Sequence, residues 1–306
     1  MKVFSLEKDG NLENTFVALG TFDGLHQGHE KVIATTLSDP LLTATVLSVL
    51  PQKKEDSLLT LPQEKVNILE KMGVAVYLPT PLTALQHLSP EDFVKDILVK
   101  KLGAKKVSCG FNFRFGNGAE GDTTTLANLC KEYGITLTVC SAMTDGTQPI
   151  SSSRIRTALK QGDLTTVTRL LGRPFGFCFP VCEGNRLGNQ LGFPTINQQL
   201  PKEMITPKFG VYAVEVTVEG QVFAGVCNIG LRPTVGDLTA PLAETHILGF
   251  DGDLYGKEVD VRLLSFLRGE KRFENLDHLK EAIRQDALQA EAVVKRNRKE
   301  QIHEVV

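Results

Sequence analysis

Two hydrophobic rhythms divide the chain. In the first half, short apolar runs at 15–19, 43–49, 74–78, 106–109 and 135–139 predict strands, and segments at 29–37, 63–72, 90–101 and 123–133 carry apolar residues at helical spacing. The 90–101 segment has its own start signals: Ser89 can cap, Pro90 suits the first helical position, and Glu91 and Asp92 favour the helix dipole. Within it Phe93, Ile97 and Leu98 fall on one face. Strands alternating with helices predict a parallel sheet with crossover helices.

After two more helical stretches, 152–161 and 164–171, Gly172-Arg173-Pro174 breaks the pattern and the rhythm changes. Segments 177–182, 211–218, 222–229, 244–248 and 259–264 are β-rich, with turns such as Val218-Glu219-Gly220-Gln221 and Asp251-Gly252-Asp253. Short strands at close spacing predict a small barrel or sandwich. A final helix over 276–303 places Leu276, Leu279, Ile283, Ala287, Ala290 and Val294 on one stripe. The expected fold class is α/β plus β, in domains 1–172 and 173–306, with the boundary within about five residues of Pro174.

A length of 306 residues independently favours two domains over one. The formal net charge of -2 argues against nonspecific nucleic-acid binding, which needs a basic face. No apolar run approaches the ~18 residues of a membrane span, and the first residues lack the apolar core of a signal peptide. None of the cysteines forms a C-x-x-C pair, and Cys178 and Cys182 sit in an apolar run. Buried, reduced thiols in a cytoplasmic enzyme are the expectation.

Candidate chemistry concentrates in two places. Gly20-Thr21-Phe22-Asp23-Gly24-Leu25-His26-Gln27-Gly28-His29 joins a predicted strand to a predicted helix, where a phosphate can meet backbone N–H groups and a helix dipole. Glycines at 20, 24 and 28 permit close backbone approach, and His26 and His29, three apart, can both donate to phosphate oxygens. Nucleotidyl transfer needs such donors, because charge grows on the α-phosphate and the leaving pyrophosphate. A lone H-x-G-H also arises by chance, and no further ligands at suitable spacing support zinc. Ile150-Ser151-Ser152-Ser153-Arg154-Ile155-Arg156 reads alike two ways. Ser152 or Ser153 caps a helix whose Arg156 clamps the β/γ-phosphates, or the helix is an ordinary surface one.

In that order and spacing, G-x-F-D-G-x-H-x-G-H, Leu88-Ser89-Pro90-Glu91-Asp92-Phe93, Gly110-Phe111-Asn112-Phe113-Arg114-Phe115-Gly116 and the 150–156 segment resemble the bacterial bifunctional riboflavin kinase/FMN adenylyltransferase (FAD synthetase) family. The resemblance spans nearly the whole chain. It implies a Rossmann-like nucleotidyltransferase domain, then a small antiparallel β-barrel kinase domain with a terminal helix. The implied reactions are riboflavin plus ATP to FMN, then FMN plus ATP to FAD with release of pyrophosphate. The resemblance implies that Gly20, Phe22, Asp23, Gly24, His26, His29, Ser152, Ser153 and Arg156 serve ATP in adenylyl transfer, with His26 and His29 catalytic. Asn112 would lie near the transferring phosphate or the flavin. Core packing of Phe111, Phe113 and Phe115 is the competing reading of that loop.

Leu191-Gly192-Phe193-Pro194-Thr195-Ile196-Asn197 resembles the family's P-T-A-N kinase signature, with Ile196 replacing the usual alanine. It implies that Gly192, Pro194, Thr195 and Asn197 hold ATP. A threonine hydroxyl and an asparagine amide on one strand face are hard oxygen ligands suited to Mg²⁺, although such a pair is also ordinary on a solvated strand. Glu244-Thr245-His246-Ile247-Leu248 resembles the family's E-x-H-x-L strand and makes Glu244 the general base for the ribityl hydroxyl. Arg268, between Phe266 and Phe273, is implied at the flavin together with the terminal helix. The implied partners are riboflavin, FMN, FAD and ATP, with neither nucleic acid nor membrane.

Three departures stand out. Ser48-Val49-Leu50-Pro51-Gln52-Lys53 keeps only the first proline of the family's T-F-x-P-x-P run. Phe179 and Glu183 replace an expected glycine and histidine, and Asn189 stands where arginine is common, with Arg186 nearby. A chain in which only the adenylyltransferase half is fully active, and a flavin-binding regulatory protein, are the alternatives. The joint presence of His26, His29, Arg156, Thr195, Asn197 and Glu244 argues against the second.

Overall fold

The computed structural model describes residues 1–50, 57–183, 192–231 and 241–304, the side chains as far as 299. The chain divides into two compact units, Met1–Lys54 with Leu59–Ser152 and Glu55–Leu58 with Ser153–Val306.

In the first unit, β1 (Lys2–Val3), β2 (Thr15–Gly20), β3 (Thr43–Leu50), β4 (Val76–Pro81), β5 (Ala104–Gly110) and β6 (Thr136–Cys140) form a parallel sheet in the order β1-β4-β3-β2-β5-β6. Both faces are covered. Val17 and Leu19 of β2 join one apolar cluster with Val107 and Leu98, and Ala18 joins the other with Phe22, Leu25 and Ile33. That double burial is why β2 reads as an unbroken apolar run rather than an alternating one. From β2 the chain builds outward through β3 and β4, then returns to the far side of β2 to lay down β5 and β6. The order therefore reverses between β2 and β5, and ligands of open parallel sheets bind beyond the strand ends at such a point. The segments leaving β2 and β5 there are 20–29 and 110–116, the two flagged from sequence. A two-stranded ribbon, β7 (Thr144–Asp145) with β8 (Gln148–Pro149), follows the sheet.

In the second unit, β9 (Phe175–Pro180), β10 (Ile196–Gln199), β11 (Gly210–Val218), β12 (Gln221–Leu231), β13 (Pro241–Ile247) and β14 (Glu258–Arg268) pair antiparallel in the order β10-β13-β12-β11-β14-β9. The two edge strands meet, so the sheet closes to a near-barrel. Gln198 Nε2 donates to the carbonyls of Phe179 and Val259, each at 2.8 Å, and the Cys182 N–H donates to the Asn197 carbonyl at 2.8 Å. Ile196–Gln199 is short and polar, with little intrinsic strand preference, and tertiary closure makes it a strand.

Two expectations need correction. Cys178 is exposed rather than buried, because β9 alternates: Phe175 and Phe177 point inward and the cysteine between Phe177 and Phe179 points out. No cysteine is disulfide-bonded. The terminal helix runs Leu276–Glu304, but its apolar stripe is buried chiefly further along. Ala290 packs with Val211, Ala213 and Val226, whereas Leu276 is 60% exposed. Asp286, buried on that helix, receives Arg268 through Nε at 3.1 Å and Nη2 at 2.8 Å. Asp286→Ala is therefore expected to lower stability by about 1.5–3 kcal/mol, the worth of a charge-assisted pair, read by denaturant unfolding.

Candidate functional site

The turn after β2 is built from uncommon backbone. Phe22, Gly24 and Leu25 all take positive φ, at 49°, 88° and 44°. Two of these carry side chains, so the turn stores strain that the surrounding packing must hold. Such a turn directs successive N–H groups to one side, which suits an anion. The Phe22 ring fills the apolar core against the Gly20 backbone, where a Cβ would come within 2.9 Å of it. Phe22 therefore can meet a nucleotide only through its backbone. Asp23, buried, accepts the N–H groups of Leu59 (3.0 Å) and Thr60 (3.3 Å) and so anchors the chain just before the helix Pro62–Lys71.

The helix Gln27–Ala34 starts at His26, which is its N-cap: Nδ1 accepts the His29 N–H at 3.2 Å. That contact assigns the proton of neutral His26 to Nε2. The two imidazoles stack at 3.6 Å between centroids, 15° from parallel, and Phe22 meets His29 edge-on at 5.4 Å. A Cβ on Gly28 would lie 3.2 Å from the His26 ring, so glycine gives that ring its place. His29 Nδ1 is enclosed and has no hydrogen-bond partner. Burial, then the neighbouring His26 and Lys65, hold the His29 imidazole well below its usual pKa, so it is neutral near pH 7.

Ser152 comes to this turn across 129 residues of sequence, donating its hydroxyl to the Asp23 carbonyl at 2.8 Å. It is the first residue of the helix Ser152–Gln161 rather than its cap. Ser153 is exposed on that helix. Arg156, one turn further on, donates through Nε to the Ser57 carbonyl at 2.7 Å. After β5, Asn112 and Phe111 are exposed, whereas Phe115 is buried against Phe93. The aromatic loop is thus split between core and surface.

Sequence reasoning missed the polar floor beneath the turn. Lys65, on the helix Pro62–Lys71, is only 4% exposed, and its Nζ reaches the Thr21 carbonyl at 3.2 Å and Ser48 Oγ at 3.3 Å. Burial lowers its pKa to about 8, opposed by the Asp23 carboxylate. The available signal was a lysine four residues before Leu69, on the buried face of an amphipathic helix.

In the second unit one row of residues crosses three strands. Asn197 of β10 pairs with Glu244 of β13, and Glu244 pairs with Asn228 of β12. Directly paired residues share a sheet face with Cβ atoms about 4.5–5.5 Å apart. Ala243 and Thr245 point into the barrel and Glu244 points out, by the alternation of β13. Asn197 is buried, and its Oδ1 has no partner. Thr195, two residues earlier, precedes the strand directly. The segment leading in is held from the same face: His246 Nδ1 lies 2.7 Å from the Pro194 carbonyl and its ring meets Phe193 edge-on at 5.6 Å. Gly192, at φ 84°, makes the turn before it. Asn228, the third member of this row, opens the Asn228-Ile229-Gly230-Leu231-Arg232-Pro233-Thr234 stretch, which fits the family in sequence. Arg268 is engaged with Asp286 and lies 5.5 Å from the Phe273 ring centroid. Pro51, Gln52, Lys53, Arg186, Gly188, Asn189, Gln190, Leu191, Arg232, Pro233 and Thr234 lie outside the described residues.

A family model described as FAD synthetase matches residues 8–154, and one described as riboflavin kinase matches 171–294. The chain is 36% identical over 290 residues to the bifunctional riboflavin kinase/FMN adenylyltransferase of Escherichia coli strain K12, covering 91% of this chain and 92% of the relative. It is 33% identical over 289 residues to the Bacillus subtilis protein of the same description, covering 90% of each. A crystal structure described as a macrolide-efflux protein from Streptococcus pneumoniae is similar at TM-score 0.82 and 26% identity, covering 93% of this chain and 97% of that one. Among the described residues, no helix is long and apolar enough to cross a membrane.

Proposed function

This chain belongs to the bifunctional riboflavin kinase/FMN adenylyltransferase family, and we propose that it divides the two reactions between residues 1–172 and 173–306. It phosphorylates riboflavin to FMN and adenylylates FMN to FAD. One observation carries the division of labour: among the described residues, the buried polar atom without a hydrogen-bond partner in the first unit is His29 Nδ1, beside the turn after β2, and in the second unit Asn197 Oδ1, one of four such atoms with Gln198 Oε1, Thr245 Oγ1 and Asp260 Oδ1, lies in the row with Glu244. Buried polar atoms normally find partners, and these two stand among the residues that the family resemblance assigns to phosphate, so each fits a phosphate oxygen or its metal.

In adenylyl transfer an FMN phosphate oxygen attacks the α-phosphorus of ATP and pyrophosphate leaves. The turn after β2 supplies N–H groups, the helix at His26 supplies its positive end, and neutral His29 donates from Nδ1 to the oxygens where charge accumulates. Ser152, Ser153 and Arg156 serve the ATP phosphates, and Asn112 serves the flavin side. In the kinase half, Glu244 takes the proton of the ribityl hydroxyl as its oxygen attacks the γ-phosphorus, the β,γ P–O bond breaks and ADP leaves. Asn197 Oδ1 is a hard, unpartnered acceptor that fits Mg²⁺, so Asn197 and Thr195 would hold the ion that neutralises the ATP phosphates. Gly192 and Pro194 position the ATP segment, and Arg268 with the terminal helix borders the flavin. The deciding assay incubates the purified protein with riboflavin, ATP and Mg²⁺ and separates the flavins by chromatography. FMN and FAD together are expected; FAD only from supplied FMN would leave a single active half.

The division also predicts where the chain can be cut. The helix Leu164–Leu171 packs on β9 and β14 through Leu164, Val167, Leu170 and Leu171, all buried. Each such side chain is worth about 1.5–3 kcal/mol of burial. A fragment starting at Ser153 is expected to melt cooperatively and to make FMN, and one starting at Arg173 to melt at lower temperature, both read by circular dichroism. Equal melts would show that the helix contributes nothing to the kinase half.

A further inference from the structure

Beneath the nucleotide turn lies a buried amine that none of the roles above uses. Lys65 Nζ and Ser48 Oγ both donate to the Thr21 carbonyl, at 3.2 and 2.9 Å, and Nζ also donates to Ser48 Oγ at 3.3 Å. Thr21 is the first residue beyond β2, immediately before the left-handed Phe22. The carbonyl and the N–H of one trans peptide point in opposite directions. Two donors holding the Thr21 carbonyl toward the floor therefore aim the Phe22 N–H away from it, on the side opposite Lys65. The same peptide opens the strained stretch that ends at Leu25, one residue before the His26 cap.

We propose that Lys65 is a positioning residue for adenylyl transfer: its buried ammonium, braced by Ser48, locks the Thr21–Phe22 peptide so that the Phe22 N–H is presented to the ATP phosphates, and it adds a fixed positive charge behind the turn. This rests on the family reading of the first unit. A buried lysine is costly unless something gains from its charge. Among the described residues its oxygen partners are a carbonyl and a hydroxyl, both from strand ends bordering the turn. The charged or titratable groups facing it are Asp23 from the turn, His29 from the helix Gln27–Ala34 and, through Ser48, Tyr77 from β4. Asp23 favours the ammonium; His29 is kept neutral partly by it; and the Tyr77 phenol, pushed up to about 12 mainly by burial, stays protonated.

The experiment compares wild type with Lys65→Met in FAD formation from FMN and ATP, with thermal melting by circular dichroism as the folding control and riboflavin phosphorylation by the same protein as the control for the other half. The expected result is a loss of about 10²-fold in kcat for FAD formation, the scale of a misplaced reacting group, with kinase activity retained. The pH profile separates positioning from packing. Wild-type FAD formation should decline as pH rises through about 8, where the ammonium is lost, and the decline should be missing in Lys65→Met. FAD formation within threefold of wild type in a kinase-competent Lys65→Met protein overturns the proposal. If Lys65→Met does not fold, Ser48→Ala decides: about a tenfold loss supports the brace and an unchanged rate overturns it. Should wild type itself make no FAD, the family reading of the first unit fails. NMR titration of His29 then still tests Lys65, since removing its positive charge should raise the His29 pKa and an unmoved value overturns the link.

Discussion

Replacing His29 with alanine is expected to slow FAD formation from FMN by about 10²–10³-fold, the usual cost of losing one transition-state donor, while riboflavin phosphorylation stays nearly unchanged. The expectation rests on three features of one side chain. Its Nδ1 is enclosed without a partner, its ring is fixed between Phe22 and His26, and its pKa is held well below the usual value. A neutral imidazole donates without changing protonation, so the rate should show no histidine-like titration near pH 6.5. Since the ring packs mainly on neighbours in its own turn, alanine should remove the donor and leave the sheet intact. His29→Asn refines the test, because an amide can restore part of the donation. Separate chromatography of FMN and FAD from one incubation reads both steps. If FMN production fell in parallel with FAD, and the protein remained folded, the two reactions would not reside in separate units.

Much of this was legible in the sequence, for identifiable reasons. The parallel sheet announced itself because strands buried on both faces are continuous apolar runs, as at Phe16–Leu19, separated by helices of regular spacing. The turn between β2 and the helix Gln27–Ala34 was legible because glycines interrupt the chain just after an apolar run and just before helical spacing begins. What stayed hidden was decided by tertiary contact. Ile196–Gln199 becomes a strand only because β13 takes up its backbone and the β9 edge accepts the Gln198 side-chain amide, and no local pattern marks it. Lys65 looks like one more surface lysine until the strand ends place Thr21 and Ser48 above it. Cys178 was misjudged because an apolar run was read as wholly buried when its strand alternates. Asn228 shares a row with Glu244 by register, and register between distant strands is set by closure of the sheet rather than by either segment alone.

Glu244→Gln should abolish FMN production and leave FAD formation from supplied FMN close to wild type. Glutamine keeps the volume of glutamate and much of its hydrogen bonding, so the row Asn197–Glu244–Asn228 should keep its register. What disappears is the proton acceptor. The ribityl hydroxyl is a poor nucleophile while protonated, and a placed base contributes about 10²–10⁴-fold to such a step. Because binding of riboflavin and ATP does not require that proton transfer, kcat should fall far more than KM rises, the signature of an interaction used in the transition state. The position makes this discriminating: Glu244 sits in the middle strand of the row, beside the enclosed Asn197 Oδ1, so a change of charge there bears on both the nucleophile and any metal held by Asn197 and Thr195. If the carboxylate served the metal instead, raising Mg²⁺ would recover turnover in the variant; with a base removed, no Mg²⁺ concentration should. A Glu244→Gln protein that phosphorylates riboflavin at a near-normal rate would remove Glu244 from the chemistry and leave it as a member of the strand.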